Sequence, residues 1–260
     1  MTKAFHLLFL LGLWSNLSSA ATALKSDPIL LSITTLNLVI NDSLVLKKIA
    51  LQKSKETVLA SYYIEKESIK TLRNQIVEDL NRNTIEMDSV KSSFTNHLVY
   101  RLIPHWYGTK WNFDGHTAIP NQGEISCGYF VSTTLRDMGL NLNRYKLAQK
   151  SPIDETKMIS CGSEIKTITA PDTETAIRDI CEVTPEGVSF IGFDEGHVGF
   201  LLKQDGALFL IHSNYLFPNA VCMERIEDSS VFKKFSKFYI VEISTNERLL
   251  QYWLNGVEIL

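Results

Sequence analysis

The sequence predicts an α+β fold: a mainly helical N-terminal region followed by a domain in which helices pack on an antiparallel sheet. Three observations carry this. Residues 24 to about 95 are polar and glycine-free, with apolar side chains at helical spacing. From Pro104 onward aromatics, glycines and prolines occur together. Between Val188 and Ser213 three short apolar runs alternate with turn residues, the pattern of a meander. At 260 residues and 45% hydrophobic, the chain can bury a large core without metals or disulfides.

The first element, residues 1–23, reads as a signal peptide. Lys3 supplies a positive start, Phe5 to Trp14 an apolar run, and Ser18-Ser19-Ala20 or Ala21-Thr22-Ala23 a small-residue cleavage site. The expected product is exported, periplasmic or secreted. No later segment approaches the roughly 20 apolar residues of a membrane span, so no integral span is expected. The formal net charge of -3, with Lys and Arg spread along the chain, speaks against a nucleic-acid partner.

Residues 24–95 form the expected helical region. Its second half, from Lys53, places Tyr62, Ile69, Leu72, Ile76 and Leu80 on one helical face, as in a helix packed on a larger body. The boundary is expected near 95, leaving residues 96–260 as the chemistry-bearing domain.

Within that domain, Cys127 to Met138 reads as a helix with Phe130, Val131, Thr134, Leu135 and Met138 facing inward and Gly139 as its C-terminal stop. Ser126 is the expected N-cap. Cys127 then sits in the first turn, where unpaired backbone N–H groups and the helix dipole favour a thiolate. The other cysteines, Cys161, Cys181 and Cys222, form no CxxC pair, so neither a zinc site nor any other metal or cofactor is indicated. At most two of the three can pair with each other after export.

Three strands follow: Val188 to Phe193, His197 to Leu202 and Ala207 to Ser213. A loop of Lys203 to Gly206 closed symmetrically about Gln204-Asp205 sets His197 opposite His212. A two-residue Asp205-Gly206 turn sets it opposite Asn214 instead. Period-two alternation leaves both candidates on one sheet face. Cysteine, base and orienter are the parts of a thiol hydrolase. Asp114, Asp194 and Glu195 in loops, and the isolated His105 and His116, are more simply read as surface groups.

Taken in order, Tyr107-Gly108-Thr109, Gly123-Glu124-Ile125-Ser126-Cys127-Gly128-Tyr129-Phe130-Val131, His197-Val198-Gly199-Phe200 and Phe209-Leu210-Ile211-His212-Ser213 resemble the NlpC/P60 superfamily of papain-like cysteine peptidases. The resemblance spans roughly residues 104 to 215. It implies a papain-like domain, with the nucleophile-bearing helix packed on the sheet, that cleaves amide bonds in peptidoglycan stem peptides. It implies Cys127 as nucleophile, His197 as base, His212 as orienter with Asn214 as the competitor, and Tyr107 and Ser126 at the substrate. Ser126 stands where the family has Asp, Gly128-Tyr129 where it has Ser-Gly, and Trp111 to Asn121 is an extra segment before the nucleophile. The same triad would also serve an exported peptidase or acyltransferase acting on a non-wall substrate, and a non-catalytic wall-binding protein could keep the fold.

Overall fold

The computed structural model describes residues 55–194 and 196–259. The expected leader, the stretch 24–54 and Glu195 lie outside the described residues. Within them the chain is mixed helix and antiparallel sheet, the α+β class.

Helix α1 (Lys55–Asn81) buries Tyr62, Ile69 and Ile76. Residues seven apart lie nearly over one another along a helix, so these three make a single stripe. The stripe is fixed to the body by directional bonds. Tyr62 Oη donates to Asp137 Oδ2 at 2.8 Å, Trp106 Nε1 donates to Tyr62 Oη at 2.9 Å, and Arg73 Nη1 donates to the Gly139 carbonyl at 2.8 Å.

Helix α2 (Met87–Thr95) runs without a break into a π-helical stretch, Asn96–Leu102, and a 3-10 turn, Ile103–Trp106. Phe94, Leu98, Leu102, Ile103 and Trp106 are all fully buried. The boundary expected near 95 therefore falls inside a continuous, core-packed helical run and is not a seam. Polar composition marked the exposed side of these helices and hid the apolar side they bury in the core.

Helix α3 (Cys127–Asp137) buries Phe130, Val131, Thr134 and Leu135, with Met138 buried just beyond, as its spacing predicts. Gly139, at φ +97°, ends it in a conformation that only glycine adopts without strain. There follow β1 (Asn141–Leu142), α4 (Arg144–Ala148), α5 (Pro152–Ser160), β2 (Lys166–Thr169), α6 (Thr173–Val183), β3 (Gly187–Phe193), β4 (His197–Gln204), β5 (Ala207–Ser213), β6 (Val221–Arg225), β7 (Lys237–Glu242), α7 (Glu247–Asn255) and β8 (Glu258–Ile259). Six strands form an antiparallel sheet in the order β2-β7-β3-β4-β5-β6, and β1 pairs with β8 in parallel.

The central strands are buried on both faces, which is why they read as apolar runs. Phe200 meets Phe130 of α3 on one face, ring centroids 5.9 Å apart. Leu201 and Leu210 join Ile180 of α6 in the core on the other.

The β4–β5 hairpin corrects the expected register. Gln204 pairs with Ala207 and Phe200 with Ile211, around a two-residue turn in which Asp205 (φ 51°) and Gly206 (φ 76°) are both left-handed. Asp-Gly tolerates this conformation, and its twist matches that of the strands, so the tighter turn displaces the symmetric four-residue loop. Carried onward, this register sets Asn214 and not His212 opposite His197.

Candidate active site

Cys127 opens α3. Ser126 occupies the N-cap position in extended conformation, but its hydroxyl makes no capping bond, contrary to the expected cap. The backbone does the anchoring. Ser126 N–H donates to Gly115 O at 2.8 Å, and Ser213 Oγ at the end of β5 donates to Ile125 O at 2.7 Å, holding the start of α3 against the sheet.

The nearby backbone N–H groups of Val198, Gly128 and Cys127 itself all favour the thiolate. Burial, followed by the negative potential of Glu155, pushes the other way and wins, raising the thiol to about 11. The expected resting thiolate is thus reversed: desolvation of the charged sulfur outweighs the helix-start N–H groups.

His197 is buried, and burial, then the neighbouring His212, holds its pKa well below the ordinary imidazole value, so it rests as a neutral base. Its Nε2 lies 2.8 Å from His212 Nδ1, and His212 Nε2 lies 3.1 Å from Glu224 Oε1. The proton positions follow in sequence. A Glu224 carboxylate can only accept, so His212 carries a proton on Nε2, and in its neutral tautomer it presents a lone pair at Nδ1. That lone pair requires the His197 proton on Nε2, leaving His197 Nδ1 free to take a proton from elsewhere.

His212 reaches His197 despite the shifted register because it is the diagonal neighbour on the same face, and diagonal pairs lie within reach of long side chains. Gly199 permits the approach: a Cβ there would stand 3.1 Å from His212 Cβ and 3.0 Å from Ile211 O. Asn214 is fully buried but turned elsewhere. Its Oδ1 accepts from Leu216 N–H at 2.7 Å, and its Nδ2 donates to Phe217 O at 3.3 Å and Glu224 Oε1 at 3.5 Å. It closes the β5–β6 turn and steadies Glu224, and it makes no bond to His197.

Glu224 was missed by sequence reasoning. The signal was a glutamate within the otherwise apolar Val221-Cys222-Met223 run, two residues beyond Cys222, which pairs with His212 across the strands. Donor atoms of His212, Cys222 and Glu224 lie within 4.8 Å of one another, the one group of this kind among the described residues able to hold a metal ion. In the structure the histidine and carboxylate of that group bond each other.

In front of the sulfur lies a cleft of about 750 Å³. Cys127, Ser126, His197 and Val198 line its base. Trp111, Phe113, Asp114 and His116 of the segment 111–121 line it too, as do Pro152, Ile153 and Glu155 of α5. The segment is tied down by Arg144, which is buried: Nη1 donates to Thr117 O at 3.2 Å and to Thr133 Oγ1 at 2.7 Å, and Nη2 donates to His116 O. The Arg144 guanidinium also lies 5.3 Å from the centre of the Tyr129 ring. Asp114, Asp194 and His116, read from sequence as surface groups, are cleft residues.

Tyr107 is not. It is buried away from the cleft, with its hydroxyl 3.8 Å from Met223 Sδ, and burial raises its pKa. Gly108 N–H on Val221 O and Val221 N–H on Thr109 O lay this segment alongside β6, which turns the ring toward Met223. No disulfide joins Cys161, Cys181 or Cys222. Among the described residues no helix is long and apolar enough to cross a membrane.

No family model, curated protein or solved structure matches this chain.

Proposed function

We propose that the protein is an exported cysteine hydrolase of the papain-like, NlpC/P60 type that cleaves amide bonds in peptidoglycan stem peptides. The observation that carries the reading is the buried chain from His197 through His212 to Glu224, whose first member lines the same cleft as the helix-start cysteine. Such a chain fixes one imidazole tautomer and stabilises the imidazolium when it forms, which a merely structural histidine pair does not need.

Because Cys127 rests as a thiol and His197 as a free base, attack and proton transfer are coupled. The sulfur bonds to the amide carbonyl carbon as its proton passes to His197 Nδ1, and the carbonyl electrons move onto oxygen. The backbone N–H of Cys127 serves as the donor to that oxygen. Collapse breaks the C–N bond, and His197 hands its proton to the leaving amine. Water then attacks the thioester, giving a proton to His197 and an acid product, and the thiol is restored. No step calls for a metal or organic cofactor.

The experiment is digestion of purified peptidoglycan with wild type and Cys127→Ala, read by mass spectrometry of released fragments. New amine and carboxyl termini in wild type alone support the reading. Labelling of Cys127 by a thiol probe with no wall cleavage moves the same chemistry to a non-wall substrate. Failure of both leaves a binding protein. Export rests on the Lys3 to Ala23 pattern, and N-terminal sequencing of protein from envelope or medium should begin near residue 21 or 24.

A further inference from the structure

Behind the base, β5 and β6 bring together three side chains whose combined chemistry the mechanism does not use. Cys222 and Glu224 lie two residues apart on β6, so they leave the same face of the sheet, and Cys222 pairs directly with His212 of β5. One cross-strand pair and one step along a strand thus gather a sulfur, a nitrogen and a carboxylate oxygen, all on buried residues. Their ligand atoms lie within 4.8 Å of one another, and His212 Nε2 stands 3.1 Å from Glu224 Oε1. A tetrahedral zinc site with bonds of about 2.0–2.3 Å needs donors about 3.3–3.6 Å apart. Closing the group onto an ion therefore takes roughly 1 Å of movement, the scale of a small side-chain rotation.

The donor set is selective. A thiolate, an imidazole and a carboxylate suit a borderline-soft ion such as Zn2+, whereas Mg2+ and Ca2+ prefer oxygen alone. The two anionic ligands are themselves supported: Asn214 Nδ2 lies 3.9 Å from Cys222 Sγ and 3.5 Å from Glu224 Oε1, an amide donor aimed at both. His212 Nδ1 is engaged 2.8 Å from His197 Nε2, so Nε2 is the nitrogen left for a metal. The cysteine spacing that speaks against a CxxC zinc site carries no information about this group, because strand pairing assembles it.

We propose that His212, Cys222 and Glu224 form a regulatory zinc site that switches off the base by reversing the tautomers of the histidine pair. Zn2+ bonds to His212 Nε2, Glu224 Oε1 and Cys222 Sγ, with water as the fourth ligand, and the S–H bond of Cys222 breaks. A neutral His212 bound to metal through Nε2 carries its proton on Nδ1 and donates it to His197 Nε2. His197 can accept there only with its own proton on Nδ1, the atom that otherwise takes the proton of Cys127. Each ring keeps one proton, so binding releases a single proton to solvent, that of Cys222. Glu224 keeps 7% of its surface exposed on β6, the strand that ends the sheet, which gives the ion its way in. The loss of catalysis that follows rests on His197 serving as the base of Cys127.

The test uses the full chain carrying Cys127→Ala, Cys161→Ser and Cys181→Ser, in which Cys222 is the only thiol. Titration with Co2+ should give a sulfur-to-cobalt charge-transfer band in the near ultraviolet that saturates at one ion per chain and is displaced by Zn2+. Adding Cys222→Ala should abolish the band. Glu224→Gln, which keeps shape and buried volume, should keep the band while weakening affinity by about tenfold or more; should Cys222→Ala not fold, this affinity decides alone. Long-range proton–nitrogen spectra of the same chain read the tautomers. Without metal His197 and His212 should both carry the proton on Nε2, and with Zn2+ both should carry it on Nδ1. Absence of the band, or unchanged affinity in Glu224→Gln, overturns the site. A saturated site with His197 still protonated on Nε2 overturns the switch. No substrate enters these measurements, so their failure is distinct from that of the hydrolase reading, which wall digestion by metal-free wild type decides.

Discussion

Behind Cys127 the site is closed, and in front of it the site is open; the two halves are built differently. His197 and His212 are at most 1% exposed, Glu224 is 7% exposed, and each is held by hydrogen bonds along adjacent strands of one sheet. The cleft walls come from the 111–121 segment and α5, carry an exposed Phe113, and leave Glu155 Oε2 and Trp111 Nε1 without partners. Satisfied buried networks are stiff, whereas unsatisfied groups at a cleft wait for a ligand. Under the proposed function, the closed half sets the reaction and the open half chooses the substrate. Mutations should divide accordingly, with the closed half acting on turnover and the open half on binding.

The largest effect is expected where the halves meet. Cys127→Ala and His197→Ala should each lower turnover on the order of a thousandfold or more, and the double variant should lose little beyond either, because both serve one step. Additive losses in a kinetic comparison would show that the two do not act as a unit. The raised thiol also dictates a pH profile. The Cys127 thiolate fraction should rise about tenfold per pH unit toward the value of about 11, so alkylation by iodoacetamide, followed on the Cys127 peptide, should climb through pH 7 to 10. A plateau reached below pH 7 would mean a resting thiolate–imidazolium pair, with the N–H groups beating desolvation after all.

Next come the residues behind the base. His212→Ala should cost about tenfold to a thousandfold in turnover, since the orienter stabilises the imidazolium without reacting. Glu224→Gln should cost less, about tenfold, because the amide can still accept a hydrogen bond but lacks the charge. Asn214→Ala should cost less again, because it reaches the base only through Glu224 and the turn. An Asn214→Ala loss larger than that of His212→Ala would show that the strict cross-strand register, and not the diagonal contact, governs the chemistry. Little movement of KM in all three would sharpen the division between the halves.

The same division explains what was legible in the sequence. Helical spacing located α3 and the buried stripe of α1, and alternating turns located β3 to β5, because periodicity and turn chemistry are local properties. Cys127, His197 and His212 stood out because their side chains have few other uses in such a pattern. The His197–His212 contact was expected from a register that the Asp205-Gly206 turn does not adopt, so the pair was found by way of an incorrect turn. Glu224 and Glu155 were illegible for a different reason. Each matters through a neighbour distant in sequence, His212 for one and Cys127 for the other, and a glutamate by itself carries no such mark. Tyr107 shows the converse, a motif residue whose local strand contacts turn it away from the site.

Smaller effects are expected from the wall. Arg144→Met removes the donors that hold His116 and Thr117 carbonyls and the cation over Tyr129, while roughly keeping the buried volume. Leaving those carbonyls unpaired should cost about 1–3 kcal/mol, seen as a lower Tm. KM should rise several-fold as the segment carrying Trp111 and Phe113 loosens, with kcat changed less. A fall in kcat at constant KM would place the segment in the chemistry and break the comparison.

The smallest effects belong to the cysteines outside the nucleophile, and they should not all behave alike. Cys161 is half-buried at the end of α5, and half-buried Cys181 has its thiol 3.5 Å from the Gly206 carbonyl, on the far side of the sheet from α3. Serine in either place keeps a donor of similar size, so turnover should stay within about twofold and any stability loss should fall within about 1 kcal/mol. Cys222 is different, because it pairs with His212 across the strands and its sulfur lies 3.9 Å from Asn214 Nδ2, which also bonds Glu224. Cys222→Ser exchanges a soft, weak acceptor for a hydroxyl that competes for Glu224 and His212. It should therefore be the one substitution of the three that lowers turnover by more than its effect on Tm would suggest. Side-by-side kinetics and thermal melts of the three serine variants decide this, and equal behaviour would confine the relay to His197, His212 and Glu224 alone.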